Sequence, residues 1–311
     1  MAVSTETGMP AEAGAIVPYA SATAEEVRLP LSLRLKRAAP HVGGATIALI
    51  ILLALYGPIT VLAVFSFNDS IVLSLPWAGF TTRWYHEALG NTNLQAALRN
   101  SFMVACVVAP LSLALGTLGA FCITRMRFWG RGPAAMLMAA PLVVPWLIVG
   151  VSAVIFFSKL NAGLSWRTVI AVQTVVTFPL VTVIVSARLA RFDRTQEEAA
   201  VDLGASQLQV LRHVILPHLV PALAASAILA FMWSFNNFEI SYFVGGFDEL
   251  FPVWVYSTLR HASNLPVVNA IASLVAVTEV IVVYFAYRAM TWRSNARTAR
   301  EKADTLTGAW R

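Results

Sequence analysis

Long apolar runs, separated by short polar stretches that carry arginine, set the pattern of this chain. Six runs reach the roughly 20 mostly apolar residues that a membrane-crossing helix needs; they cover 44–67, 100–124, 133–157, 168–190, 221–245 and 267–290. Charged side chains are nearly absent within them. The hydrocarbon layer offers no water to an open N–H or C=O, so each run is predicted to be helical. The expected fold class is all-α, a polytopic membrane protein with six transmembrane helices. Composition agrees, with 58% hydrophobic and 12% charged residues against about 25% charged in soluble domains. Residues 44–290 then form the transmembrane domain, flanked by tails at 1–43 and 291–311. The first tail has no continuous apolar run and is expected to be disordered, with an amphipathic helix near 29–37. The first run starts late, is full-length and lacks an obvious small-residue cleavage site, so it does not read as a signal peptide.

Charge fixes the orientation. With the N-terminus inside, the stretches on the inner side hold seventeen of the 22 Lys and Arg residues; Arg83, Arg99, Lys159, Arg167 and Arg260 fall outside. The positive-inside rule therefore places both termini, and the 191–220 loop, in the cytoplasm. The net charge of +6 is spread over four short flanks without an aromatic-lined basic face. Anionic lipid head groups account for it, and no nucleic-acid partner is expected. Cys106 and Cys122 lie sixteen residues apart in one run, about 24 Å along a helix, too far to bridge. The histidines (His41, His86, His213, His218 and His261) lack metal-ligand spacing, and no metal is expected. Lys36, Lys159 and Lys302 stand outside any glycine-rich phosphate loop, so the chain cannot cradle a nucleotide itself. No nucleophile, base and orienting group occur together. The chain reads as a non-enzyme with no cofactor of its own.

The 191–220 loop is long and organised. Glu197 and Glu198 suit the positive N-terminal end of a short helix. Ala199 and Ala200 are small enough for another surface to approach. Gly204 is placed as a left-handed C-cap. A second helix over 206–216 would be amphipathic through Leu208, Leu211 and Ile215, and Pro217 and Pro221 would break the chain before the fifth run. Read as a string, the loop gives Glu198-Ala199-Ala200, three residues, Gly204, nine residues, Val214, one residue, then Leu216-Pro217. This resembles the EAA loop of binding-protein-dependent ABC importer permeases, with Val214 in an isoleucine slot. The resemblance implies a type I ABC importer permease fold whose first short helix is a coupling helix seated on an ATPase. Glu198, Ala199, Ala200, Asp202, Gly204, Ala205 and Pro217 would carry the coupling. It also implies partners: an ATP-binding cassette ATPase dimer that uses the ATP, a second permease subunit, and an extracytoplasmic substrate-binding protein, at a bacterial inner membrane.

Ser66-Phe67-Asn68, Trp77-Ala78-Gly79-Phe80-Thr81-Thr82-Arg83-Trp84-Tyr85 and Val268-Asn269-Ala270 are similar to the spermidine/putrescine permease subfamily. That implies a polyamine cargo and a heterodimeric pathway. Without the family, the 77–85 run is either an interfacial aromatic belt or a contact for a binding protein. The fifth run holds Ser234, Asn236, Asn237, Glu239 and Ser241, polar groups that membrane depth makes expensive and that face a pathway or another helix. Helical spacing would put Asn236 and Glu239 on one face, Asn237 and Ser241 on the next. Asn236, Asn237, Glu239 and Ser241 are the substrate-pathway candidates. Asn236-Asn237 stands where the subfamily tends to carry an acidic pair. That departure leaves another small solute (opine-like, amino-acid-derived or phosphonate) as the alternative cargo. An ion-coupled secondary transporter is the competing class, but no internal repeat or charged midplane site points to it. Gln173 is expected to bond between helices, Gly116 and Gly119 to allow close contact, and Pro58, Pro110, Pro141, Pro145, Pro179 and Pro221 to mark kinks.

Overall fold

The computed structural model describes residues 31–71, 75–261 and 264–308, with 31–43, 290 and 292–308 described by backbone alone. Of the expected tails at 1–43 and 291–311, residues 1–30 and 309–311 lie outside the described residues. The chain divides into two compact units, Met1–Gly57 and Pro58–Arg311.

In the first unit the described chain is the opening part of helix α1 (Leu31–Phe65). It starts thirteen residues ahead of the apolar boundary at 44, through a stretch rich in the helix formers Leu, Arg, Lys and Ala, so the tail expected to be disordered up to 43 is helical from Leu31. Ile47, Ile50, Leu53 and Leu55 are all exposed. Lipid tails are as apolar as leucine, so such a surface is at no disadvantage in a bilayer.

The second unit is a helical bundle. Its elements are α2 (Arg83–Gly90), α3 (Thr92–Arg125), α4 (Arg131–Ala139), α5 (Trp146–Lys159), α6 (Trp166–Ala190), α7 (Thr195–Asp202), α8 (Gln207–Val210), α9 (Leu216–Phe235), α10 (Glu239–Val244), α11 (Phe251–Arg260) and α12 (Leu265–Gly308). No strand occurs among the described residues, only a single bridge between Asn68 and Phe80. Among the described residues of both units, five helices are long and apolar enough to cross a membrane, or six if one bent pair counts as a single span. Like the first tail, the second is helical where described, since α12 continues through residue 308.

The centre of the bundle is α3 against α6, with α9 beside both. A Cβ added at Gly116 would lie 2.5 Å from Val181 Cβ and 2.7 Å from Phe178 O, so glycine sets that contact. Gly119 faces Thr182 less tightly, at 3.1 Å from its Oγ1. One buried cluster joins Ala109 and Ala120 on α3 with Val181, Val185 and Leu189 on α6 and Ile215 and Leu219 near the start of α9. Gln173, fully buried on α6, bonds as expected to a neighbouring helix: Ser234 Oγ donates to its Oε1 at 2.5 Å. Its Nε2 donates to Ser241 Oγ at 3.2 Å.

Two of the expected spans are not single helices. The run 133–157 divides into Arg131–Leu142 and Trp146–Lys159, bent by 98°. Pro141 sits in a 3₁₀ turn, and Pro145 takes an extended conformation just ahead of α5; a proline supplies no N–H and pushes its predecessor out of the helical region. The run 221–245 ends as helix at Phe235 and restarts at Glu239. Here side-chain amides compete with the backbone: Asn236 Nδ2 donates to Met232 O at 3.2 Å, and Asn237 Oδ1 accepts from Ile240 N at 3.0 Å.

Pro217 and Pro221, expected to end a helix, do not. Leu211–Ile215 forms a π turn that leads straight into α9, whose first turn carries Pro217 and whose interior carries Pro221. The wider turn relieves the hydrogen bond and the space that a proline four residues on would otherwise disturb. It also rotates the register. Of the expected face Leu208, Leu211 and Ile215, only Ile215 is buried, together with Val210 and Leu219, while Leu208 and Leu211 are exposed.

The motifs at the far end of the bundle bind each other. Trp84 Nε1 donates to Asn68 O at 2.9 Å, Ala78 N donates to Asn68 Oδ1 at 3.0 Å, and Ser66 Oγ lies 2.6 Å from Tyr85 Oη. Phe67 stacks on Phe80 at 5.2 Å, and Arg83 pairs with Asp69 at 3.0 Å. Trp84 is buried with Leu94, Trp254 and Val268. These side chains close the end of the bundle, leaving Leu75 and Phe80 exposed.

Candidate functional site

The loop 191–220 folds around α7. At its start, Thr195 N donates to Asp193 Oδ1 at 3.0 Å. The backbone and hydroxyl hydrogen bonds from Thr195 hold the Asp193 carboxyl below the usual carboxylate range. A lowered folded-state pKa means that this cap is in place at neutral pH and is lost as pH falls through that lowered value. Glu197 and Glu198 occupy the first turn. At its end, Gly204 adopts φ +86°, Gly204 N donates to Val201 O at 2.8 Å, and Ala205 N donates to Ala200 O at 3.0 Å. That pair of bonds is a Schellman cap, which needs a left-handed residue at the glycine position.

The predicted coupling residues separate by role. Ala200 and Ala205 turn inward onto the α3, α6 and α9 cluster. Glu198, Ala199 and Asp202 are exposed, beside Val201 and Leu203 at 52% and 90% exposure. Gly204 shapes the cap, and Pro217 lies in the first turn of α9 rather than on the α7 surface. The helix is tied to the bundle by a contact that spacing alone did not disclose. Glu197 Oε1 lies 2.5 Å from Arg125 Nη2 at the end of α3, an ion pair whose angles fall outside a hydrogen bond's. Arg194 Nη2 adds a long bond to Thr124 O at 3.4 Å, and Arg125 stands over the Phe192 ring at 5.8 Å. A groove of about 560 Å³ runs between this pair and Leu208 and Leu211.

The second set lies at the break after α9. Asn237 is buried and caps α10; Ser241 is buried and bonds Gln173. Both hold the fold. An Asn237→Ala protein is expected to lose about 1 kcal/mol, the usual value of such a cap, seen as a drop of roughly 2–4 °C in thermal unfolding, with cargo selectivity unchanged. Glu239 is half-buried at the start of α10, with no side-chain partner among the described residues. The break means that Asn236 and Glu239 do not share a helix face. Asn236 instead donates to Glu279 Oε1 on α12 at 2.6 Å. Glu279 was missed in the sequence, although it is an acidic residue inside the sixth apolar run and that isolation was a usable signal. It lines a cavity of about 540 Å³ with Phe102, Phe231, Phe235 and Val275.

The fold superposes with a TM-score of 0.64 on a chain of a bacterial alginate ABC transporter in complex with alginate pentasaccharide-bound periplasmic protein. That match has 16% identity and covers 82% of this chain and 95% of the other. Residues 112–293 match the family described as binding-protein-dependent transport system inner membrane component, and the chain belongs to that family. It is 36% identical over 265 residues to the putrescine transport system permease protein PotI of Escherichia coli (strain K12), covering 83% of this chain and 92% of PotI. It is 34% identical over 230 residues to the spermidine/putrescine transport system permease protein PotC of the same strain, covering 74% and 86%. The chain is thus a multi-pass inner-membrane permease subunit, and its relatives are transport permeases rather than enzymes.

Proposed function

We propose that this subunit forms, with a second and different permease, the translocation pathway of an ATP-driven importer of polyamines of the putrescine and spermidine kind. The observation that carries the coupling role is α7, whose exposed Glu198, Ala199 and Asp202 stand on a helix capped at Gly204 and pinned to α3 through Glu197. Such a helix presents a small, rigid surface to a partner and passes its displacement to the bundle. The partner is an ATPase dimer at the cytoplasmic face, where the excess of arginine puts α7 and both termini. ATP binding closes that dimer, α7 transmits the closure, and the spans exchange inward- for outward-facing access. ATP hydrolysis stays with the partner, and a soluble extracytoplasmic protein delivers the cargo.

The cargo reading is supported by the similarity to PotI and PotC over most of their length. Asn236-Asn237, which favoured another solute, has a structural account: Asn237 is a cap and Asn236 holds a carboxylate. Negative charge is still present at this depth, supplied by α12. The test is uptake of labelled putrescine and spermidine in cells with and without this subunit, the partner genes present. Uptake that depends on the subunit and on ATP is expected; uptake indifferent to its loss would overturn the polyamine reading.

A further inference from the structure

We infer that Glu279 is the anchor for the ammonium group of the transported cation, oriented by Asn236 at the wall of the cavity between α3, α9 and α12; the inference rests on the polyamine reading above. A carboxylate at membrane depth is costly and is kept where it pairs or serves a pathway. Glu279 has no cationic partner among the described residues. Among the described residues its one hydrogen bond comes from the neutral amide of Asn236, which fixes the Oε1 atom without cancelling the charge. Asn236 spends its other donor on Met232 O, so the amide is itself held in place. Oε2 accepts no bond among the described residues and is left for a ligand.

The remaining walls define what that ligand is. Phe102, Phe231 and Phe235 line the space, with Phe231 and Phe235 stacked at 6.1 Å and Phe102 edge-on to Phe231 at 5.6 Å. Ring faces attract a cation, and apolar walls take up methylene groups. Together with a carboxylate they fit an aliphatic amine: an ammonium with three donors on Glu279 and a short carbon chain along the phenylalanines. An opine-like or phosphonate solute would set its own negative charge beside Glu279, in a cavity whose lining includes no Lys, Arg or His.

Glu279→Gln removes the charge while keeping an oxygen to accept from Asn236, so the local fold is retained. In the complete transporter, reconstituted in vesicles with its binding protein, Glu279→Gln is expected to lower putrescine uptake about tenfold or more. ATPase stimulation by the putrescine-loaded binding protein should persist, so that less cargo moves per ATP. Glu279→Asp should recover part of the uptake. Wild-type uptake by the Gln variant would overturn the inference and leave the polyamine reading standing. Loss of the assembled complex in both variants would also overturn it, giving Glu279 a role in holding the second permease. A wild-type complex that imports neither putrescine nor spermidine would sink the polyamine reading, and this inference with it.

Discussion

An Ala199→Glu permease is expected to insert, to recover at wild-type levels and to drive no measurable uptake. Ala199 is exposed on α7 with Glu198 and Asp202 on either side, so the change disturbs no internal contact and should leave thermal unfolding where it was. What it alters is the surface that the proposed coupling role would offer to an ATPase. A methyl group lets another backbone come close. A carboxylate there adds a third negative charge and must be desolvated without a partner, which costs about 2–5 kcal/mol at a buried interface. That is at least a thirty-fold weakening of docking, enough to empty the complex at ordinary subunit concentrations. Two measurements check it: copurification of the ATPase subunit, expected to be lost, and ATP-driven uptake, expected at background. Retained copurification with normal uptake would remove α7 from the coupling role.

The second large effect is expected at Gly116. A Cβ there meets Val181 Cβ at 2.5 Å and the Phe178 carbonyl at 2.7 Å. One of these is backbone, so the contact cannot be relieved by turning a side chain. Overpacking of this kind costs about 1–3 kcal/mol for modest groups, and Gly116→Val adds two methyls beyond the Cβ. The α3 and α6 helices must separate, and Gln173, Val181 and Val185 lie on the helix that moves. A fall of roughly 5–10 °C in thermal unfolding is expected, with loss of recoverable protein in cells. Gly119→Ala is the matched control: its Cβ meets Thr182 Oγ1 at 3.1 Å and the flexible Met138 Cε at 3.5 Å, and only a small loss is expected.

Much of the fold was legible because the bilayer imposes one period and one length on every span. The helix of 168–190 needed nothing more than its apolar run, and Gly204 needed only the rule that a helix ending in a left-handed turn takes glycine. The misreadings share a physical cause: the runs report where apolar residues are, but not whether the backbone stays regular through them. Pro141 and Pro145 bend a span by 98°, while Pro217 and Pro221 sit inside a continuous one because a π turn precedes them. Asn236 and Asn237 looked like neighbours on a helix; each bonds backbone instead, and the helix has already stopped at Phe235. The pairing of Asn236 with Glu279 joins residues 43 apart, and that of Arg125 with Glu197 crosses from one helix to another. Neither can be read from local spacing. The two subfamily motifs near residues 66–68 and 77–85 were legible as markers, yet their mutual bonding through Asn68, Trp84 and Tyr85 appeared only in three dimensions.

The unbroken passage from the π turn into α9 has a mechanical consequence. The 20 residues of α9 make a rod about 30 Å long, with the α7 assembly at its foot and Asn236 at its tip. A rigid rod magnifies rotation: tilting the foot by about 5° swings the tip by about 2.6 Å over that length, close to the reach of a single hydrogen bond. Had the prolines snapped the rod at its base, as the sequence led one to expect, the same tilt would have been absorbed at the joint. The break is at the other end, where a stroke of that size is enough to make or release the grip of Asn236 on Glu279.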